Sequence, residues 1–277
     1  MTAERAAPLV NDYAGQLLRP GWLPKSIPDR APADRRRLLV IHIPKTGGSS
    51  LRVMFEGHVP PEETFLSTGA HEWVGRSVAD LRSVRLFIGH QFLEPLYQFP
   101  QDDWVTALAV REPIAWWRSW YKFWRRRDAN SAGPPTMPAT FGAFIDSSSD
   151  PDLSNPQASW LMARTRVMFD NPHSRADRLT DTGMHLHGDT GPTMELLDRL
   201  LDRVTALGTT EHLVDVYRTA CRAMDWEPSF EVAAHENRAG LAGSALDLTS
   251  AQEERLLGLN HIDAWMVQRA VGRGALQ

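Results

Sequence analysis

Leu38-Leu39-Val40-Ile41-His42-Ile43-Pro44-Lys45-Thr46-Gly47-Gly48-Ser49-Ser50-Leu51 is the stretch on which the reading of this chain turns. Its apolar, partly β-branched first half predicts a strand that ends at Pro44. A Lys-Thr-Gly-Gly-Ser-Ser turn follows, and Leu51, Val53, Met54 and Phe55 open a predicted helix that runs to about Gly57. Strand, glycine-rich turn and helix, in that order, gather backbone N–H groups and a helix N-terminus around an anion. Gly47 and Gly48 let the backbone approach closely, Ser49 and Ser50 add hydroxyl donors, and Lys45 adds a mobile positive charge. This is not a Walker A loop, in which the lysine follows the glycines. Here Lys45 precedes them, where it can reach over the distal end of a phosphate-like group.

The 277 residues, 42% of them hydrophobic and ten of them tryptophan, suffice for one large α/β domain. A formal net charge of −4 argues against bulk nucleic-acid binding, so any anion site must be local. The single cysteine excludes an intrachain disulfide framework and fits a reducing compartment. Cys221 lies among Val216, Tyr217, Ala220 and Met224 at helical spacing and reads as core. No apolar run is long enough to cross a bilayer, and Met1 to Pro32 holds no apolar segment of signal-peptide type. The expectation is a cytoplasmic protein without a membrane anchor.

Working outward, residues 1–36 read as a proline-punctuated arm that packs on the body, and 37–277 as the body itself. Residues 58–80 read as irregular. Val84 to His90 and Trp104 to Val110 are the next strands, the latter a nearly continuous apolar run of the buried parallel type. Pro113 opens a helix that reaches about Arg127. Loops at 128–140 and 146–157 alternate with short helices at 141–145 and 158–168, and 169–191 is again loop-like. A helix at 193–203, a short strand at 204–208 and a helix at 211–224 follow. Ser250 with Glu253 predicts a capping box that starts one long final helix through Trp265 and Met266. Strands alternating with helices imply a P-loop-like parallel sheet covered by helices on both faces in a single domain.

The string His42 to Leu51 resembles the 5′-phosphosulfate loop of sulfotransferases that use 3′-phosphoadenosine 5′-phosphosulfate (PAPS). It is most similar to the carbohydrate sulfotransferases of the heparan sulfate 2-O-sulfotransferase type. The resemblance implies that Lys45, Thr46, Gly47, Gly48, Ser49 and Ser50 hold the 5′ end of the nucleotide. It also implies that an Arg at a strand end and a Ser eight residues later hold its 3′-phosphate, a spacing met by Arg111 and Ser119. A guanidinium that binds phosphate bidentately, with a hydroxyl further along the same helix, is chemically suited to that task. Gly208-Thr209-Thr210-Glu211 is similar to a strand-end junction of the family. Arg238 and Gly240, in His235-Glu236-Asn237-Arg238-Ala239-Gly240, resemble its loop over the adenosine and 3′-phosphate. The animal relatives are typically Golgi-anchored, and this chain shows no such anchor, which points to a soluble bacterial member.

His90, after Gly89 at a strand end, stands where ligand sites of open parallel sheets cluster. Its ordinary pKa near 6.5 suits taking a proton from an attacking hydroxyl, and the Gly-His pair resembles the catalytic histidine of the 2-O-sulfotransferase group. Glu63, His71 and Glu72 are reserve candidates for the base. Trp116, Trp120, Phe123 and Trp124 recur at helical spacing and read mainly as core, with one or two reaching an acceptor pocket. His185, His187 and Asp189 read as a polar loop, and no metal is expected. The function implied is sulfuryl transfer to a hydroxyl of a carbohydrate or small natural product, with adenosine 3′,5′-bisphosphate released. A P-loop-type nucleotide kinase or NTPase, or an inactive nucleotide-binding relative, is the alternative. The acceptor and the oligomeric state are not written in the sequence.

Overall fold

The computed structural model describes residues 36–67, 83–90, 104–130, 136–167, 191–228 and 244–274. The fold is α/β, built on a five-stranded, all-parallel sheet. Its strands are β1 (Arg37–Ile41), β2 (Thr64–Ser67), β3 (Leu86–Gly89), β4 (Trp104–Val110) and β5 (Ala206–Thr209), in the order β2-β3-β1-β4-β5. The helices, in chain order, are α1 (Gly48–Glu56), α2 (Pro113–Ala129), α3 (Phe141–Ser147), α4 (Asp150–Leu153), α5 (Pro156–Val167), α6 (Gly191–Arg203), α7 (Leu213–Met224), α8 (Ser250–Leu259) and α9 (His261–Gly274). Among the described residues no helix is long and apolar enough to cross a membrane.

Strand alternation assigns the two faces. Leu38 and Val40 of β1, Leu86 and Ile88 of β3, and Val105, Ala107 and Ala109 of β4 pack with Leu51, Met54 and Phe55 of α1 and with the buried side of α7. Leu39, Ile41, Phe87, Leu108 and Val110 face the other way, onto Ala158 and Leu161 of α5, Leu197, Leu200 and Leu201 of α6, and Ile262, Met266 and Ala270 of α9. Both faces are thus covered, which explains why the central strands read as unbroken apolar runs. Cys221 is fully buried under α1, as its helical spacing predicts. A third cluster, with Trp116, Trp117, Tyr121, Phe141, Ile145, Leu153 and Leu256, ties α2 to α3, α4 and α8.

Several expectations are corrected. β2 lies inside the stretch read as irregular; it has four residues and a single partner among the described residues, so it carries no extended apolar signature. Helix α1 begins at Gly48, so the Gly-Ser-Ser segment is its first turn and not a preceding loop. The segment 146–157 is not all loop, since it holds α4 and the start of α5. The capping box is one residue earlier than expected: Thr249 accepts from Gln252 N, and the Gln252 side chain accepts from Thr249 N at 2.9 Å. The final helix is two helices, broken at buried Asn260, whose Nδ2 donates to the carbonyls of Leu153 and Leu256 at 2.8 Å each. Of the N-terminal arm, residues 1–35 lie outside the described residues, while Arg36 donates to Ala223 O and to Asp225 Oδ2, both at 2.9 Å. That places a cation at the C-terminal end of α7, where the helix dipole favours it.

Two buried side chains cap each other's helices. Asn155, held at φ 43° just before α5, accepts from Ile262 N at 2.9 Å and Asp263 N at 3.3 Å in the first turn of α9. Asp263 accepts in return from Gln157 N at 3.0 Å and Ala158 N at 2.8 Å in the first turn of α5. Burial pushes the Asp263 carboxyl up to about 7, with the hydrogen bonds from Gln157 and Ala158 pulling the other way. Asp263→Ala strands two buried N–H groups and is expected to destabilise the fold by about 2 kcal/mol, whereas Asp263→Asn, which keeps an acceptor, should lose roughly half as much or less. Urea titrations of the three proteins measure this; an Ala variant as stable as the Asn variant would contradict the capping role.

Candidate anion-binding site

The loop between β1 and α1 leaves the sheet where connections diverge: β1 leads toward β2 on one side, and its neighbour β4 leads toward β5 on the other. Such a switch point, at the C-terminal ends of parallel strands, opens the crevice in which ligands of this architecture bind. Three consecutive carbonyls fix the loop. Thr46 Oγ1 donates to Ile43 O at 2.8 Å, Trp116 Nε1 to Pro44 O at 2.7 Å, and Arg111 Nη1 to Lys45 O at 3.1 Å. Lys45 adopts φ 69° and Gly47 φ 85°, both left-handed. The first is an unfavourable conformation for a lysine, of order 1 kcal/mol, and it persists because the carbonyls on each side are held.

With its carbonyls engaged, the turn presents its N–H groups elsewhere. Ser50 N bonds back to Gly47 O at 2.9 Å and Thr46 N to Ile43 O at 3.4 Å, so the amides of Gly47, Gly48 and Ser49 are the ones left without a partner among the described residues. Thr46 is buried, with its hydroxyl committed to Ile43 O, and shapes the turn. Gly47 is favoured by its left-handed φ and Gly48 by the ring packed against it. A Cβ on Gly47 would stand 2.5 Å from Leu213 Cδ1 in α7, and a Cβ on Gly48 would stand 1.9 Å from the His42 ring.

Arg111 follows β4 directly, and its backbone is held from both sides. Gln157 Oε1 accepts from Arg111 N at 2.8 Å, and Gln157 Nε2 donates to Arg111 O at 2.7 Å. The guanidinium consequently turns toward the loop. Burial weighs against its charge, while Glu211 and Glu112 support it, and its Nε is buried without a hydrogen-bond partner. Lys45 Nζ lies 4.8 Å from the centroid of Phe123. Burial first, then the charges of Arg111 and Arg126, push the ammonium below the ordinary lysine value. Three cations thus converge on one loop, which is the electrostatic condition for binding an anion of more than one charge.

Ser119 is four residues before Phe123 and seven before Arg126, on one face of α2. Because Lys45 lies over Phe123 and Trp116 bonds Pro44, that face looks onto the loop. The N-terminus of α2 itself is closed by Glu112, which accepts from Ile114 N at 3.0 Å and Ala115 N at 2.7 Å. The aromatic stripe divides: Trp116 and Trp117 are buried, while Trp120, Phe123 and Trp124 are half-buried.

His90 stands at the same end of the sheet. Register pairs Ile41 with Gly89, so the next residues, His42 and His90, fall side by side and their rings stack at 4.6 Å and 20°. The edge of Trp160 approaches His90 at 5.5 Å. Burial, and then the charges of His90 and Lys45, push His42 down to about 3. Glu63 is removed as a base candidate: it precedes β2 at the opposite ends of the strands, beside Arg85, on the order of 13 Å from the crevice by strand rise. His71, Glu72, Arg238, Gly240, His185, His187 and Asp189 lie outside the described residues.

Sequence reasoning missed four contributors. His42 had a usable signal, its position one residue past a strand end, but only the strand order makes it His90's neighbour. Arg126 was hidden in a run of basic residues. Gln157 and Asp263 act through contacts to sequence-distant backbone and carry no local signature.

Two consequences are measurable. Lys45→Asn removes a desolvated charge and suits the left-handed backbone, so it should leave the fold as stable or raise stability by about 0.5–1 kcal/mol, while abolishing pyrophosphate binding in calorimetry; a destabilised variant would contradict the strain. A histidine held neutral in the fold binds fewer protons than in the unfolded chain, so its contribution to stability is present above about pH 6.5 and fades as pH falls toward 3. His42→Phe should therefore flatten the acid-side loss of stability between about pH 6.5 and 4, and denaturation midpoints that fall in parallel for both proteins would refute it. No family model, curated protein or solved structure matches the chain.

Proposed function

We propose that the chain is a PAPS-dependent sulfotransferase, moving a sulfuryl group to a hydroxyl of a carbohydrate or small natural product and releasing adenosine 3′,5′-bisphosphate. The observation that carries the reading is the reach of Arg111, at the end of β4, to the carbonyl of Lys45 in the loop after β1. Two phosphate-binding elements separated by 66 positions share one crevice, as a ligand with phosphates at both ends of one nucleoside requires. The reading extends to a single P-loop-like domain over 37–277, with an N-terminal arm, in a bacterial cytoplasm.

The residues present fit such a nucleotide. The amides of Gly47, Gly48 and Ser49 are available for a 5′-phosphate, and both glycines sit where a Cβ would collide. The orphaned Nε of Arg111 and the hydroxyl of Ser119 on the loop-facing side of α2 suit the 3′-phosphate. Arg238 and Gly240 would close over it. The bound nucleotide would supply an activated sulfuryl group whose bond to the 5′-phosphate breaks as the acceptor oxygen attacks in line. His90 takes the acceptor proton as the new O–S bond forms. Lys45, mobile on its stem and repelled by Arg111 and Arg126, neutralises the charge that collects on the bridging oxygen. The buried flank of His90, beside Trp160 and His42, keeps water from that side of the base.

Transfer of labelled sulfate from PAPS across sugars, lipids and secondary metabolites tests the proposal. Lys45→Ala and His90→Ala should each lower turnover by about 1,000-fold or more. Phosphoryl transfer from ATP that requires Mg²⁺ would replace the reading with a kinase or NTPase. Tight binding of adenosine 3′,5′-bisphosphate without transfer to any acceptor would reduce it to a nucleotide-binding protein.

A further inference from the structure

We propose that His42 is a positioning residue: its ring is the rigid spacer that fixes the height of His90 above the Gly48 backbone of the anion cradle. On one side the His42 ring lies so close to Gly48 that a single added carbon would fall 1.9 Å from Cδ2, 2.1 Å from Nε2 and 2.2 Å from Cγ. It also stacks on His90 at 4.6 Å and 20°, and His90 is backed by Trp160, which packs on the sheet face opposite α1. The first turn of α1, His42 and His90 therefore form one contact series, with Trp160 of α5 against the far member. Neither outer member can shift toward the other while the ring is in place.

The arrangement follows from β-sheet geometry. Adjacent parallel strands run about 4.8 Å apart, so two rings at matched positions beyond paired strand ends meet face to face. Gly89 at φ 140° supplies the backbone turn that brings His90 over His42. Among the described residues the titratable groups that act on His42 are His90 and Lys45; from α1 the Gly48 backbone lies against its ring, and α5 presents the uncharged Trp160 to His90. A neutral flat ring here adds no positive charge to oppose a proton arriving on His90, and it transmits the position of the cradle to the base by contact alone. Its nitrogens are not needed for that role; its shape is. The kinetic arm of the test rests on the transfer reaction proposed above, and the spectroscopic arm does not.

The test compares wild type, His42→Ala and His42→Phe in the full chain. Histidine-ring NMR across pH follows His90, and labelled-sulfate transfer from PAPS gives kcat, KM and the pH profile. His42→Ala should move the His90 ring resonances and shift its titration midpoint, and should lower kcat by up to about 100-fold with little change in KM for PAPS. His42→Phe should restore the resonance pattern and most of kcat. An alanine variant with the wild-type His90 titration and kcat overturns the proposal, as does a phenylalanine variant no better than alanine, which would assign the role to the nitrogens. If wild type itself transfers no sulfate to any acceptor, the sulfotransferase reading fails and the NMR arm alone decides the role of His42. Should His42→Ala not fold, His42→Gln, of similar bulk without a flat ring, is scored in its place.

Discussion

The hydrogen bond from Arg111 Nη1 to the carbonyl of Lys45 ties the end of β4 to the loop after β1, beside the bond from Trp116 Nε1 to Pro44 O, and its geometry constrains much of what surrounds it. Lys45 takes a left-handed backbone at that carbonyl, and the amides of Gly47, Gly48 and Ser49 that follow have no hydrogen-bond partner among the described residues. The bond also brings a guanidinium close to an ammonium, with a second guanidinium from α2 nearby. That proximity is repulsive. It is tolerated because the backbone of Arg111 is fastened by Gln157, and Gln157 by Asp263, so the strain is carried by buried, well-satisfied hydrogen bonds.

The parallel sheet supplies the frame for this concentration of charge. With both faces covered, every strand runs its C-terminal end to the same edge, and the ends of β3, β1 and β4 lie side by side. The helix that follows β4 could have competed for an anion, but Glu112 already occupies its N-terminus. The first turn of α1 has no side-chain cap, its N-cap being glycine. Of the two helix starts beside the crevice, the one without a carboxylate is the one at which Lys45 stands.

Strong local patterns made much of the fold legible. The apolar runs of β1 and β4 and the proline that opens α2 place those elements to within three residues, the largest miss being the end of β1, which stops at Ile41 and not at Pro44. The short edge strand β2 gave no such signal, because four residues with one partner among the described residues do not need an apolar pattern on both faces. The break at Asn260 was equally silent: the periodicity continues through it, and only the buried carbonyls of Leu153 and Leu256 explain why the chain stops being one helix there. In the site, residue types and spacing singled out Lys45, Gly47, Gly48, Arg111, Ser119 and His90. What they could not express was relation across the fold, namely which amides remain available, which histidine lies beneath which, and what keeps the arginine aimed.

The exchange of caps between Asn155 and Asp263 makes the end of the polypeptide part of its charged centre. A premature stop shortly before residue 261 would leave Lys45, Gly47, Gly48, Arg111, Ser119 and His90 all encoded and translated. Yet α5 would lose the carboxylate that holds its first turn, Gln157 would lose its anchor, and the arginine beyond β4 would lose the clamp that aims it. A gene-disruption map of this locus read only by motif would score such an allele as intact, although its product would lack the carboxylate that secures the clamp on Arg111.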